Sequence, residues 1–265
     1  MSRQSQKGHS NRKARLGRAV RRMVGAASRL EFVQDILEQS RPQFVDITNN
    51  DVRWIQYANA GMLDPRNLYC FDYAIKNLPD EAPILEIGSF CGLSANVLTY
   101  YKRANRRRNR LITCENWSFA GARPGEGFPE EFLDLGEYRR LVKDSLVRNV
   151  SLFSKGDLPY TVELSSPDFF EAWARSEVIA DIHGRSLTLG GTLSFCYVDG
   201  GHDYEAVRRD FENCARFLSP GGFLFFDDSS DDSGFDGVRR VVGEVQSLGN
   251  FELVLKNPNY LFRKK

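Results

Sequence analysis

The segment PILEIGSFCGLS, Pro83 to Ser94, decides the fold. Pro83–Ser89 reads as a continuous apolar strand, the pattern of a strand covered on both faces. Gly88 lets the chain turn tightly and lets another group approach the backbone. Gly92 lets the next helix, predicted over Gly92–Lys102, pack close. Strand, glycine turn and helix in this order open a nucleotide-binding α/β unit. By itself the glycine spacing suits several nucleotides. A dinucleotide fingerprint would carry glycine where this chain has Phe90, and the Gly-Lys-Ser/Thr of a P-loop is absent.

The same switch of period recurs along the chain. Strands are predicted at Arg110–Asn116, Thr161–Ser165, Leu193–Asp199 and Phe223–Asp228. Helices are predicted at Pro167–Ser176, at Tyr204–Leu218 (ended by Ser219-Pro220-Gly221-Gly222) and at Phe235–Leu248. A closing hairpin, Phe251–Lys256 and Tyr260–Lys264, turns around Asn257-Pro258-Asn259. The fold class is therefore α/β, a Rossmann-like doubly wound sheet, mostly parallel with an antiparallel last strand. Three regions follow: a disordered basic tail (1–15), a helical extension (16–80) and a main domain (81–265). The extension holds an amphipathic helix from Leu16 to before Pro42 and a second helix over Pro65–Leu78. Residues 117–160 break the alternation and read as an insertion near the ligand-binding edge.

Composition bounds the class. Of 265 residues, 42% are hydrophobic, enough for a packed core, and no apolar run is long enough to span a bilayer. The 36 Lys and Arg nearly balance 35 Asp and Glu, but unevenly. Eight of the basic residues fall in the first 22, where there is no acid, which leaves 28 against 35 in the rest. A mildly acidic body with a basic tail is unlike a globally basic nucleic-acid binder. The tail suits contact with an anionic lipid or RNA surface, and a homo-oligomer is compatible with this composition. The basic run Lys102–Arg110 reads as a solvated loop at the sheet end away from the ligands. The five cysteines, Cys70, Cys91, Cys114, Cys196 and Cys214, form no CxxC pair and read as buried hydrophobes in a reducing compartment. No apolar signal-peptide core precedes them, so the expected location is cytoplasmic; the Arg-rich, acid-poor start leaves a transit peptide as the alternative in a eukaryotic source.

Ligands in open α/β sheets bind beyond the carboxyl ends of the strands. Here those ends carry Glu86-Ile87-Gly88-Ser89, Glu115, Ser165-Ser166, Asp199 and Asp227-Asp228. Glu115 follows Gly88 by 27 residues, where a carboxylate can accept hydrogen bonds from both ribose hydroxyls. A turn glycine and a surface glutamate is the bland alternative. His202 lies three residues after Asp199 in D-G-G-H-D-Y. Histidine titrates near neutral pH and can take a hydroxyl proton; a helix N-terminal residue with local hydrogen bonds is the alternative. Trp117 and Phe119 either cover a ligand or join the core.

Taken together, Glu86–Ser94, Glu115, Asp199 and the Ser-Pro-Gly-Gly turn before FLFFDD resemble the class I S-adenosylmethionine (SAM)-dependent methyltransferases. Within these the likeness is to metal-dependent O-methyltransferases of the catechol, caffeoyl-CoA and macrolide-sugar types. Ile84–Ser94 is similar to the catechol type's first motif almost position by position. The resemblance spans about Pro83–Phe262 and implies a seven-stranded sheet with its last strand reversed. It also implies a SAM site: Glu86, Gly88, Phe90 and Ser94 around the methionine end, Glu115 on the ribose, Ser166 toward the adenine, and Asp199 beside them. In this fold the strands ending at Asp199 and Asp227-Asp228 are neighbours. Three carboxylates so placed repel unless protonated or neutralised. Oxygen donors of this kind suit Mg²⁺, Mn²⁺ or Ca²⁺ rather than a thiolate-seeking zinc. The resemblance makes Asp199, Asp227 and Asp228 metal ligands, with Asp199 and His202 catalytic and His202 the general base. The catechol type has an amide at the position of Asp228, so this chain leans to the sugar type.

The expected activity is transfer of a methyl group from SAM to a hydroxyl of a sugar, glycan or secondary metabolite, assisted by a divalent metal. Two other classes remain open at this point. One is a nucleotide-binding oxidoreductase, against which the broken glycine fingerprint speaks. The other is a non-catalytic RNA- or membrane-binding protein on the same fold.

Overall fold

The structure is a computed structural model and describes residues 49–119 and 134–265. The chain divides into two units, Met1–Arg41 and Pro42–Lys265, and the described residues belong to the second. The basic tail, the helix expected from Leu16 and the glycine- and proline-rich stretch Ala120–Pro129 lie outside the described residues.

β1 (Ile84–Ile87) is buried along its whole length and pairs in parallel with β2 (Leu111–Cys114) on one side and β6 (Leu193–Val198) on the other. β3 (Tyr160–Val162) extends the β2 side, and β7 (Leu218–Phe226) extends the β6 side, both in parallel. β9 (Tyr260–Lys264) runs antiparallel between β7 and β8 (Phe251–Lys256), giving the order β3-β2-β1-β6-β7-β9-β8. The expected doubly wound sheet with a reversed last strand is present. From β1 the chain winds outward through β2 and β3, then returns to wind the other way through β6 and β7. The crevice at the carboxyl ends of β1 and β6 is therefore the switch point where such sheets bind ligands.

Period-two alternation divides the sheet's side chains between two cores. Ile84, Phe195, Tyr197, Phe223, Phe225 and Leu261 face one layer of helices. This layer holds α1 (Asn50–Ala58), α2 (Asn67–Lys76), α3 (Leu93–Ala104) and α4 (Leu135–Phe153). Their alternates Leu85, Cys196, Val198, Leu224, Phe226 and Phe262 face the other layer. It holds α5 (Ser166–Ala174), α6 (Tyr204–Phe217) and α7 (Asp236–Ser247). On the first face Phe71 of α2 meets Tyr197 and Phe225 edge-on, with ring centroids 4.8 and 5.4 Å apart. Aromatic packing of this kind fixes the ring of Tyr197, whose hydroxyl reaches the switch-point crevice.

Four features depart from expectation. α4, inside the segment read as an insertion, is the crossover helix between β2 and β3, and it packs Val142, Leu146 and Val150 into the first core. The sequence does read as helical over Glu137–Phe153, but the exposed Leu141 and Leu152 blur the apolar stripe that would mark it as a crossover packed on the sheet. The Ser-Pro-Gly-Gly turn lies within β7 as a bulge. There Leu193 pairs with Leu218 and Phe195 with Phe223, and Gly221 adopts φ +78° against Pro79. α1 was not foreseen, because Trp54 and Tyr57 are exposed on it and only Val52 and Ile55 are buried. A two-stranded antiparallel hairpin, β4 (Val178–Ala180) and β5 (Ser186–Thr188), stands outside the predicted alternation.

The basic run is less solvated than its charge suggests. Lys102 is 2% exposed and pairs with Asp157 at 3.2 Å, while burial pulls its pKa down. Arg103 donates to the carbonyls of Phe153 and Lys155, and Arg107 to that of Lys76. The Phe153 and Lys76 carbonyls end helices and that of Lys155 lies in the turn just after one, where cationic donors satisfy carbonyls left without a helical partner.

Candidate active site

Ladder register brings the expected residues to one level. Ile87 pairs with Cys114 and with Val198, and Val198 with Phe226, so Gly88, Glu115, Asp199 and Asp227 each stand one residue past a paired strand end. Backbone hydrogen bonds continue there, from Gly88 N–H to Cys114 C=O (3.0 Å), Asp199 N–H to Ile87 C=O (2.8 Å) and Asp227 N–H to Val198 C=O (3.0 Å).

Around Gly88 the site is backbone. Gly88 has φ +88°, and a Cβ there would lie 1.9 Å from the carbonyl oxygen of Asp199. No other residue fits, so the glycine serves the chain's own close packing as well as the turn. Phe90 takes a left-handed conformation (φ +43°), one that glycine adopts without strain. Glu115 gathers this loop. Its Oε2 accepts from Ser89 N–H (3.0 Å) and Phe90 N–H (3.2 Å), and its Oε1 from Trp117 N–H (2.8 Å). Trp117 is buried and donates Nε1–H to the Phe90 carbonyl at 3.1 Å, so it braces the loop from the core side. Ser94 is buried in the first turn of α3.

Glu86 is fully buried, and neither carboxylate oxygen has a hydrogen-bond partner. Burial, helped by the charge of Glu115, pushes its pKa up to about 8; Ser94 and Ser89 lie near enough to temper that rise without closing a bond of good geometry. The Ser89 hydroxyl is also buried and unpartnered. Ser166 opens α5, with its hydroxyl on the carboxylate of Asp210. Asp210 stands 3.3 Å from where a Cβ on Gly200 would be, and burial raises its pKa to about 6.

The acidic half is made of side chains. Oxygen and nitrogen atoms of Asp199, His202 and Asp228 all lie within 4.8 Å of one another. Nε2 of His202 is 2.9 Å from Oδ2 of Asp228, and the imidazole stacks on Phe235 with centroids 4.0 Å apart. A Cβ on Gly237 would meet the His202 carbonyl at 2.4 Å, so a glycine is what allows α7 to press against the histidine. Asp228 itself has φ +51°. Asp199 is only part-buried by accessible surface. Protein atoms still crowd its carboxylate enough that desolvation, then the charges of Asp227, Asp228 and Glu86, drive its pKa well above the ordinary range.

Asp227 stands apart from the grouping the sequence suggested. The structure gathers Asp199 and Asp228 with His202, and turns Asp227 inward. Oδ1 of Asp227 accepts from Asn67 Nδ2 (2.7 Å), Asn259 Nδ2 (2.5 Å) and Asp228 N–H (3.0 Å). Its Oδ2 accepts from the Tyr197 hydroxyl, which also reaches Asp199 Oδ2 at 3.2 Å. Burial, then Asp228, lift the Asp227 pKa to about 6 against these hydrogen bonds. Asn67, Tyr197, Phe235, Gly237 and Asn259 were not read from the sequence. Asn67 and Asn259 are 160 and 32 residues from Asp227, and no local pattern marks them.

A seven-stranded sheet with β9 reversed, a glycine turn after β1 and an acid after β2 define the class I methyltransferases, whose donor is SAM. The methyltransferase domain family matches residues 85–229, more than half of the chain, and the chain belongs to that family. The oxidoreductase alternative falls with this match, and the protein is an enzyme. Comparison with curated proteins by sequence gives no match. Among solved structures the chain is similar to the O-methyltransferase from Bacillus cereus in complex with SAH (TM-score 0.52, 15% identity, covering 89% of this chain and 96% of that one). It is likewise similar to the SAH-bound Podospora anserina methyltransferase PaMTH1 (TM-score 0.51, 12% identity, 90% and 96%). A third is CalS11, a calicheamicin methyltransferase (TM-score 0.50, 13% identity, 83% and 94%). At such identities the likeness is one of fold. Among the described residues, no helix is long and apolar enough to cross a membrane.

Proposed function

We propose that this methyltransferase carries a methyl group from SAM to a hydroxyl oxygen of a sugar, glycan or secondary metabolite, with a divalent ion of the Mg²⁺ kind and with His202 as general base. One observation carries the reading. The missing Cβ of Gly88 lets the donor loop abut the Asp199 backbone, so that loop and the Asp199–His202–Asp228 cluster share one rim. The names of two fold neighbours, an O-methyltransferase and a calicheamicin methyltransferase, support an oxygen acceptor on a secondary metabolite.

The buried, unpartnered carboxylate of Glu86 and hydroxyl of Ser89 fit a ligand whose inner end is cationic. When bound, SAM supplies a methyl on a positively charged sulfur, already activated for displacement. Gly88, Phe90, Ser94 and Glu86 would hold the methionine end, and Glu115, kept in place by its loop N–H bonds, would take the ribose hydroxyls. Ser166, fixed by Asp210, would contact the adenine side. Burial, and after it the neighbouring carboxylates, raise Asp199 and Asp227, and a cation beside them would relieve both costs. Asp199 and Asp228 would hold it with Asp227 behind them, and there it would lower the pKa of the acceptor hydroxyl. His202 takes the acceptor proton, and Asp228 at 2.9 Å stabilises the imidazolium so formed. Alignment of the acceptor oxygen with the methyl is the remaining contribution of the rim.

The test is SAH formation from SAM with a panel of sugar and phenolic acceptors, with and without chelator. Turnover lost on chelation and restored by Mg²⁺ is the expected result. His202→Ala is expected to lower kcat by about 10²- to 10⁴-fold with SAH affinity unchanged. Full turnover in chelator removes the ion from the reading, and absence of SAH binding removes the reading itself.

A further inference from the structure

Asn259 sits in the β8–β9 turn, 3% exposed, and uses its whole hydrogen-bonding capacity. Its Nδ2 donates to Asp227 Oδ1 and to Asn67 Oδ1 (3.0 Å). Its Oδ1 accepts from the N–H groups of Ser229 and Ser230, both at 2.8 Å. The opposite amide orientation would set a donor against those two N–H groups and an oxygen against the carboxylate. One side chain thus grips the chain on both sides of Asp228: residue 227 through its carboxylate, residues 229 and 230 through their backbone. Asn67, fully buried, closes the ring by donating to the same oxygen of Asp227.

Asp228 needs such a grip. A non-glycine residue at φ +51° is strained and persists only where its surroundings impose it. Here they do, through the Asp228 N–H bond to Asp227 Oδ1 and the pinned residues 229 and 230. This conformation aims the Asp228 carboxylate at His202.

We infer that Asn259 is a positioning residue, which through Asp227 and the 229–230 backbone sets Asp228 against His202. The inference deepens the proposed function and rests on it only for the use made of that pair. The contact itself is measurable without turnover.

The test is NMR of the full chain with ¹⁵N-labelled histidine, without SAM or metal, comparing wild type, Asn259→Ala and Asp228→Ala. Asn259→Ala is expected to lose the wild-type His202 imidazole signal and to move it toward that of Asp228→Ala, with His183 unmoved. Added Mn²⁺, followed by its electron paramagnetic resonance, is expected to bind Asn259→Ala about 10- to 100-fold more weakly, with SAH affinity within about twofold of wild type. In an Asp228→Ala background the same substitution is expected to add nothing to either readout. A folded Asn259→Ala whose His202 signal coincides with wild type overturns the inference. Should that variant not fold, Asn67→Ala, which removes one arm of the ring, is expected to move the His202 signal part of the way, and an unmoved signal there overturns it equally. A wild type that gives no methyl transfer defeats the proposed function, while the histidine spectra still decide the role of Asn259.

Discussion

Around Glu115 the rim is made of main chain: three N–H groups, from Ser89, Phe90 and Trp117, converge on one carboxylate. Around Asp227 it is made of side chains, with Asn67, Tyr197 and Asn259 arriving from three separate elements. The first arrangement is local, since its parts lie within 26 residues of Glu115 in sequence. It depends on backbone conformation at Gly88, Phe90 and Trp117, and it is a matter of backbone shape. The second is assembled only when the sheet closes. It depends on polar side chains that are each costly to bury unless all are satisfied, and it holds charge rather than shape.

Changes to the first half should cost structure or donor binding, and changes to the second should cost chemistry. Gly88→Ala tests this most severely. Its Cβ would overlap the Asp199 carbonyl and impose φ +88° on alanine, so a loss of about 3 kcal/mol or more is expected in urea unfolding. Unchanged stability would mean that the halves do not abut. Asp228→Ala should lower turnover by about 10²-fold, the low end for loss of assistance to a general base. Calorimetry should find its SAH affinity within about twofold of wild type. Glu115→Ala should show the converse first, an SAH affinity lower by roughly 10- to 100-fold, as for loss of charge-assisted hydrogen bonds. If both variants lose donor affinity equally, the division of labour is wrong.

The smallest effect sharpens the comparison through pH. Folding raises the Glu86 pKa from 4.5 to about 8, so the folded protein holds this proton more tightly than the unfolded chain. Its contribution to stability is whole below 4.5 and is lost as pH rises toward 8. Glu86→Gln should therefore flatten the fall in Tm across that interval and raise Tm at pH 8, by roughly 2–4 °C for each kcal/mol relieved. It should also weaken SAM more than SAH, since only SAM carries the sulfonium charge. A variant with wild-type pH dependence would show that Glu86 is solvated.

The same contrast explains what was legible in the sequence. PILEIGS, RLITCEN, LSFCYVD and FLFFDD each join a buried strand to a polar end, so the fold and the positions of Gly88, Glu115, Asp199 and Asp227-Asp228 followed from short segments. Phe90 hid the second turn position because its residue type does not announce its φ of +43°. The inward turn of Asp227 depends on partners up to 160 residues away, and an asparagine in a turn looks alike whether it grips a carboxylate or water. α1 left one readable sign, Asn49 capping Asp51 and Val52, but its exposed aromatics obscured the apolar spacing. The β4–β5 hairpin is too short, at three residues a strand, to show alternation.

The placement of β9 has a consequence for how the enzyme is made. Residues 260–264 leave the ribosome after β8, yet they fill the slot between β8 and β7. Until they arrive, the acidic rim of a nascent chain lacks Asn259 and the strand beside it, while the Gly88–Glu115 loop has had well over a hundred residues in which to settle. The acidic half of the rim is thus completed later in synthesis than the Gly88–Glu115 loop.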